Sequence, residues 1–203
     1  MSRFVTDFGT AGTPSADGRL DAPAFHRNWR PIWSVLAAFM QNKSGNVLEV
    51  GSGTGQHIVE FARNAPNIVW WPSDYSETHR ASIAAWRLHA KLANLRPPAC
   101  IDLSNPDWDL PPELGPPREL LGIFCANVLH IAPWRVAEGL FAGAGGTCGP
   151  MDAYTCTDRS CGTDSTPRRA MPRSTPACEA RMPNGACATP GILRDWLPAT
   201  ACI

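Results

Sequence analysis

Two carboxylates and three glycines are the residues best placed to meet a nucleotide-like ligand. Glu49 is the one carboxylate within the apolar run Val47–Val50, and Gly51, Gly53 and Gly55 follow at alternate positions in V-L-E-V-G-S-G-T-G-Q-H. The run reads as a strand buried on both faces. Ile58, Val59, Phe61 and Ala62 then recur as on one face of a helix. Strand, glycine turn and helix bring backbone close to a ligand at the carboxyl end of a parallel strand. Glycine suits such a turn because a Cβ would obstruct positive φ and close approach. An ordinary tight turn between strand and helix is the plainer reading.

The second carboxylate is Asp74, at the end of N-I-V-W-W-P-S-D. It stands close to the ~20-residue offset at which an acid meets ribose hydroxyls in such folds. Capping of the following helix is the alternative. A third acid, Asp102, ends the short run A-C-I-D-L and either approaches an adenine amino group or forms a turn with S-N-P-D. Asn127 and His130 follow the apolar run Leu120–Asn127, where open α/β sheets bind ligands. His130 reads equally as a core histidine.

These groups need a sheet to hold them. Strands are expected at 47–50, 67–74, 99–103 and 120–127, with helices over 58–62, 76–95 and 134–144. Asp21 is expected to cap a first helix, and Pro31 to kink it or split it in two. His26, Arg27, Asn28 and Arg30 lie on that helix's polar side, as a solvated face or beside the ligand. Residues 1–20, rich in Gly, Ser, Thr and Asp, are expected to form a mobile arm.

Composition removes several classes. The 203 residues suit one domain, and a net charge of zero points to neither nucleic acid nor a membrane surface. No apolar run approaches the ~20 residues of a membrane span. The first residues lack the apolar core of a signal peptide, so a cytoplasmic location is expected. Six of the eight cysteines follow residue 144, without a C-x-x-C pair or a histidine among them, which argues against zinc.

The glycine spacing separates ligand classes. G-x-G-x-x-G would indicate a dinucleotide, but Gln56 occupies the last glycine place. The run E-x-G-x-G-x-G resembles motif I of class I S-adenosylmethionine (SAM)-dependent methyltransferases. With A-P-A-F-H-R-N at 22–28, W-P-S-D at 71–74, S-I-A-A-W at 82–86, N-V-L-H-I-A-P-W at 127–134 and A-E-G-L-F-A-G-A at 137–144, residues 20–144 resemble the domain of unknown function 938. This resemblance implies an α/β, Rossmann-like class I methyltransferase sheet with helices on both faces. It implies SAM as cofactor, contacted by Glu49, Gly51, Ser52, Gly53, Gly55, Asp74 and Asp102. Arg27 and Asn28 become pocket candidates, and Asn127 and His130 the catalytic candidates toward a small or undefined methyl acceptor. A nucleotide-dependent oxidoreductase and a non-catalytic scaffold with a Cys-rich interaction tail are the competing readings.

After residue 144 the pattern collapses. Pro, Thr, Arg, Ala and Cys abound, with no period that builds a strand or long helix. The genetic code offers a reason. Codons shifted to begin on each third base let Cys148–Asp164 encode R-P-D-G-R-L-Y-L-Y-G-P-F-x-R-D-G. They also let 164–178 encode an S-N-x-x-F-D-like segment and 184–189 encode W-G-V-R-D. These strings, in this order, resemble what the family carries there. One base is therefore expected to be missing near codons 144–146. On that reading the domain spans 21–144, stops after the fourth strand and leaves Leu120–Asn127 as an apolar edge. The tail 145–203 is then expected to be disordered and the activity impaired.

Overall fold

The computed structural model describes residues 14–108, 120–128 and 132–147, with strand backbone also at 154–157, 180–181 and 187–188. Helix α1 (Pro23–Met40) leads into β1 (Gly45–Val50), α2 (Gln56–Asn64), β2 (Ile68–Ser73) and α3 (Glu77–Ala90). Then come β3 (Gly122–Ala126), α4 (Trp134–Thr147) and β4 (Tyr154–Thr157), and a short antiparallel pair, β5 (Ala180–Arg181) with β6 (Cys187–Ala188). The main sheet is parallel, in the order β2-β1-β3-β4.

Alternation along the strands divides the core into two layers. Val47 and Phe124 face a layer with Ile32, Leu36 and Met40 of α1 and Ile58, Val59 and Phe61 of α2. Leu48, Val50, Ile123 and Cys125 face the other side, with Val136, Leu140 and Ala144 of α4. A sheet covered by helices on both faces is the α/β arrangement expected from the sequence. Its apolar strands follow from burial on both sides.

Several local expectations fail. Helix α1 is one element with Pro31 inside it, so the split into two short helices does not occur. Proline removes a single bond to residue i−4, and the buried stripe Ile32, Leu36 and Met40 keeps both halves packed on the same core. Asp21 does not cap α1; its N-cap is Ala22, with no side-chain bond. Asp21 is turned instead toward Gln56 and His26. The mobile arm shortens as well. Leu20 is buried, and Arg19 lies 4.6 Å over the Trp86 ring; residues 1–13 lie outside the described ones.

The strand expected at 99–103 is reduced to parallel bridges, Trp70 to Leu95 and Ser73 to Ala99. Arg96 and Ala99 donate to the carbonyls of Trp70 and Pro72, and Asp74 donates to that of Ala99. Pairing is thus displaced upstream, and Pro97 and Pro98 within it have no N–H to extend a ladder.

The largest correction concerns the far side of the sheet. Leu120–Asn127 is not left as an edge, because Tyr154–Thr157 pairs with Ile123–Ala126 in parallel register. Tyr-Thr-Cys-Thr carries aromatic and β-branched residues that favour a pleated strand, and α4 returns the chain to that edge. Of the tail expected to be disordered, 145–147 end α4, and 154–157, 180–181 and 187–188 carry strand backbone; the rest lies outside the described residues.

Candidate functional site

The carboxyl ends of β1 and β2 are tied together by side chains as well as backbone. Ser52 N–H donates to the Ser73 carbonyl at 2.9 Å, and Ser73 N–H donates to Ser52 Oγ at 3.1 Å. Ser73 Oγ donates to the Glu49 carbonyl at 2.8 Å. Gly53 N–H donates to Asp74 Oδ2 at 2.9 Å. The clamp holds residues 51–55 in a single shape. Gly51, Gly53 and Gly55 all have φ between +57° and +89° there, a region that favours glycine.

Steric surroundings give the glycines different tasks. A Cβ on Gly55 would lie 2.9 Å from the Ile83 Cα, so this glycine lets α3 pack against the start of α2. A Cβ on Gly51 would lie 2.6 Å from Val128 Cγ2, just past β3. A Cβ on Gly53 would meet nothing within 4 Å. Gly53 is therefore where the turn presents bare backbone to open space.

Asp74 is 8% exposed, and its Oδ1 accepts from Ser76 N–H at 2.8 Å and faces His79 Nδ1 at 3.3 Å. Helix α3 is capped by Ser76, not by Asp74, so the acid serves the glycine turn. Glu49 is 3% exposed, and its Oε2 has no hydrogen-bond partner. Burial, reinforced by the charge of Asp74, pushes the Glu49 carboxyl up to about 8. An unpartnered buried carboxyl is costly to a fold that uses it only for structure, and it sits directly below the glycine turn.

The other expected residues are spread around this centre. Asn28 Oδ1 lies 2.8 Å from His57 Nε2 in the first turn of α2. Arg27 is exposed. Asp102 is exposed, and its Oδ1 accepts from Ser104 N–H and Oγ, which realises the turn reading. Asn127 follows β3 with φ +58°, an uncommon conformation for a residue with a side chain. Strain of that kind concentrates at functional sites. His130 lies outside the described residues.

Sequence reasoning missed Gln56, His57 and His79. Gln56 Oε1 accepts from Ala22 N–H at 2.7 Å and Thr54 Oγ1 at 3.0 Å, and its Nε2 donates to Asp21 Oδ1 at 2.6 Å. Its polarity at a glycine place was the available signal. Burial pushes the His57 imidazole down to about 4. Nothing in the spacing alone placed His79 against Asp74. A separate cavity of about 430 Å³ opens at the amino end of the sheet, between Trp33, Lys43 and Asn64–Ile68, away from the glycine turn. Among the described residues no group of His, Cys, Asp and Glu could hold a metal ion.

Comparisons with known proteins agree on this architecture. The family described as a protein of unknown function, DUF938, matches residues 19–154. The S-adenosylmethionine-dependent methyltransferase SibL, in its apo form, superposes with a TM-score of 0.51 at 17% identity, over 63% of this chain and 34% of that one. A SAM-dependent methyltransferase from Aquifex aeolicus gives a TM-score of 0.50 at 19% identity, over 77% of this chain and 79% of that one. At such identities the likeness is one of fold. This chain spans about a third of the length of SibL.

Proposed function

This chain belongs to the DUF938 family, and we propose that it is a SAM-dependent methyltransferase. The observation that carries the reading is the glycine turn at Gly53, open on its Cβ side and clamped to Asp74 above an unpartnered Glu49. The residues fit the cofactor's chemistry. Asp74 retains lone pairs for ribose hydroxyls, the Gly53 backbone allows close approach, and Glu49 offers a free carboxyl oxygen to a cationic amino group. The bound cofactor supplies an electrophilic methyl group on its sulfonium.

The protein's own part is to bind, orient and remove a proton. Asn127, turned at the end of β3, orients the acceptor over the glycine turn. His130 takes the acceptor's proton as a general base. Most of the acceleration then comes from holding nucleophile and methyl group in line. Gln56 supports this reading over a nucleotide-dependent oxidoreductase. It fills the last glycine place, and its side chain is committed to Asp21, Ala22 and Thr54.

The proposal extends to the gene. The shifted frame writes L-Y-L-Y over residues 153–156, and β4 occupies 154–157. The shifted frame therefore writes a string of strand-forming residues at the position that β4 occupies in this chain. The missing base is supported by the string matches, and the expected impairment rests on the family segments lost beyond β4. A cytosolic location belongs to the same reading; among the described residues no helix is long and apolar enough to cross a membrane.

Calorimetry tests these points. SAM is expected to bind the chain restored by one base near codon 145, and to bind the present chain more weakly. In the restored chain, Asp74→Ala is expected to cost roughly 1.5–3 kcal/mol of binding, the scale of hydrogen bonds to a charged group. Tight NAD binding without SAM binding would overturn the methyltransferase reading. Equal SAM affinity for both chains would overturn the impairment.

A further inference from the structure

Two adjacent side chains at the start of α2 hold the segment Leu20–Asn28 beside the glycine turn, and Gln56 Oε1 also accepts from Thr54 Oγ1 of the turn at 3.0 Å. Gln56, 4% exposed, receives the Ala22 N–H and donates to Asp21 Oδ1. His57 Nε2 meets Asn28 Oδ1 at 2.8 Å. Phe25 lies between these two links along the chain, edge-on to the His57 ring with centroids 5.2 Å apart. Upstream, Leu20 N–H donates to Ser82 Oγ at 2.9 Å, and Ser82 Oγ donates to the Thr54 carbonyl at 2.7 Å. Trp86 Nε1 donates to the Leu20 carbonyl at 2.9 Å. The segment is thereby hung from residues 54–57 and from α3.

Burial keeps the imidazole neutral at physiological pH, so the ring has one N–H to give. With the Asn28 amide oxygen toward it, that proton sits on Nε2, and the Asn28 Nδ2 group remains available as a donor. The N-cap of α2 is Gly55, the last residue of the turn. Any movement of the turn is therefore passed within two residues to Gln56 and His57, and through them to the segment.

We propose that Gln56 and His57 are positioning residues that hold Leu20–Asn28 as a fixed wall of the ligand site, ordered before the ligand arrives. The inference rests on the methyltransferase reading only in taking SAM as the probe. A wall ordered in advance removes part of the ordering cost of binding.

Hydrogen exchange and SAM calorimetry on the full chain test this with His57→Phe, His57→Gln and Gln56→Ala. Phe fills the aromatic cluster but cannot donate; Gln can donate to Asn28. His57→Phe and Gln56→Ala are expected to speed exchange over residues 20–28 and weaken SAM binding, each about tenfold, as for loss of one or two hydrogen bonds. Protection of Val47–Val50 should stay unchanged. His57→Gln should remain within about threefold of the parent in both measurements. Unchanged exchange in both His57→Phe and Gln56→Ala would overturn the proposal, as would equal behaviour of His57→Phe and His57→Gln. If His57→Phe loses Val47–Val50 protection, Gln56→Ala decides alone. A chain restored by one base near codon 145 that binds no SAM, with the exchange pattern of residues 20–28 intact, would sink the proposed function and leave the ordered segment standing.

Discussion

At the carboxyl end of the sheet, the β1–β2 side and the β3–β4 side are built differently. On the first side, Ser52, Ser73 and Asp74 lock the glycine turn with side-chain bonds, and α3 packs on Gly55 at backbone distance. On the second, β3 ends in the strained Asn127, Val128 reaches over Gly51, and β4 adds four residues of backbone pairing. The difference teaches where preorganisation is concentrated. The half proposed to hold the cofactor is rigid through many short polar links, and the half proposed to meet the acceptor depends on chain that arrives later in the sequence.

The comparison breaks most visibly at Gly55. Gly55→Val would place a branched Cβ within 3 Å of the Ile83 backbone at φ +89°. The expected loss is about 4 kcal/mol, from left-handed strain plus overpacking. Urea denaturation measures it, and a loss below about 1 kcal/mol would mean that α3 is not seated on the turn as described.

Next in size is the pH dependence set by Glu49 and His57. Glu49 has its folded value raised from 4.5 to about 8, so the folded state holds a proton that the unfolded chain releases. Its contribution is intact below pH 4.5 and is lost as pH rises toward 8. His57 has its folded value lowered from 6.5 to about 4, and its contribution is lost as pH falls through that interval. The two slopes oppose one another between pH 4.5 and 6.5, and above 6.5 only the decline due to Glu49 remains. Glu49→Gln is expected to remove that decline, on the order of 3 kcal/mol at pH 8, with little gain near pH 5. Denaturation midpoints at the two pH values check it.

Gly53→Ala sharpens the contrast within the turn itself. No atom opposes the new Cβ, so the expected stability loss is only the left-handed strain of about 1–2 kcal/mol. SAM binding should fall by about tenfold or more, because the methyl group occupies the open approach. A variant that binds as well as the parent would move the ligand away from Gly53.

The smallest effect is expected on the other side of the sheet. Thr155→Ala in β4 should cost about 0.5 kcal/mol, the scale of β-propensity alone. Val47→Ala in β1, at a core position, should cost about 2 kcal/mol. A Thr155 cost equal to that of Val47 would show that β4 is as firmly built as β1.

Much of this site was legible in the residues themselves. The apolar run before Gly51 and the acid at Asp74 specified strand, turn and ligand end, because burial on both faces and positive φ each restrict residue type strongly. The motif strings specified the family in the same local way. Sequence order could not decide which acid is free and which is engaged. Asp102 went into a local turn, Asp74 became the clamp of the glycine turn, and Glu49 kept a buried, unpartnered oxygen. Nor could it decide that Asp21 would bond to Gln56 instead of capping α1, or that β4 would cover β3. The outcomes at Asp74 and Asp21 depend on partners 21 and 35 residues away, and that at β3 on a strand beyond α4. Period and propensity describe only a residue's own neighbourhood, and partners at that separation meet only when the sheet and its helices close.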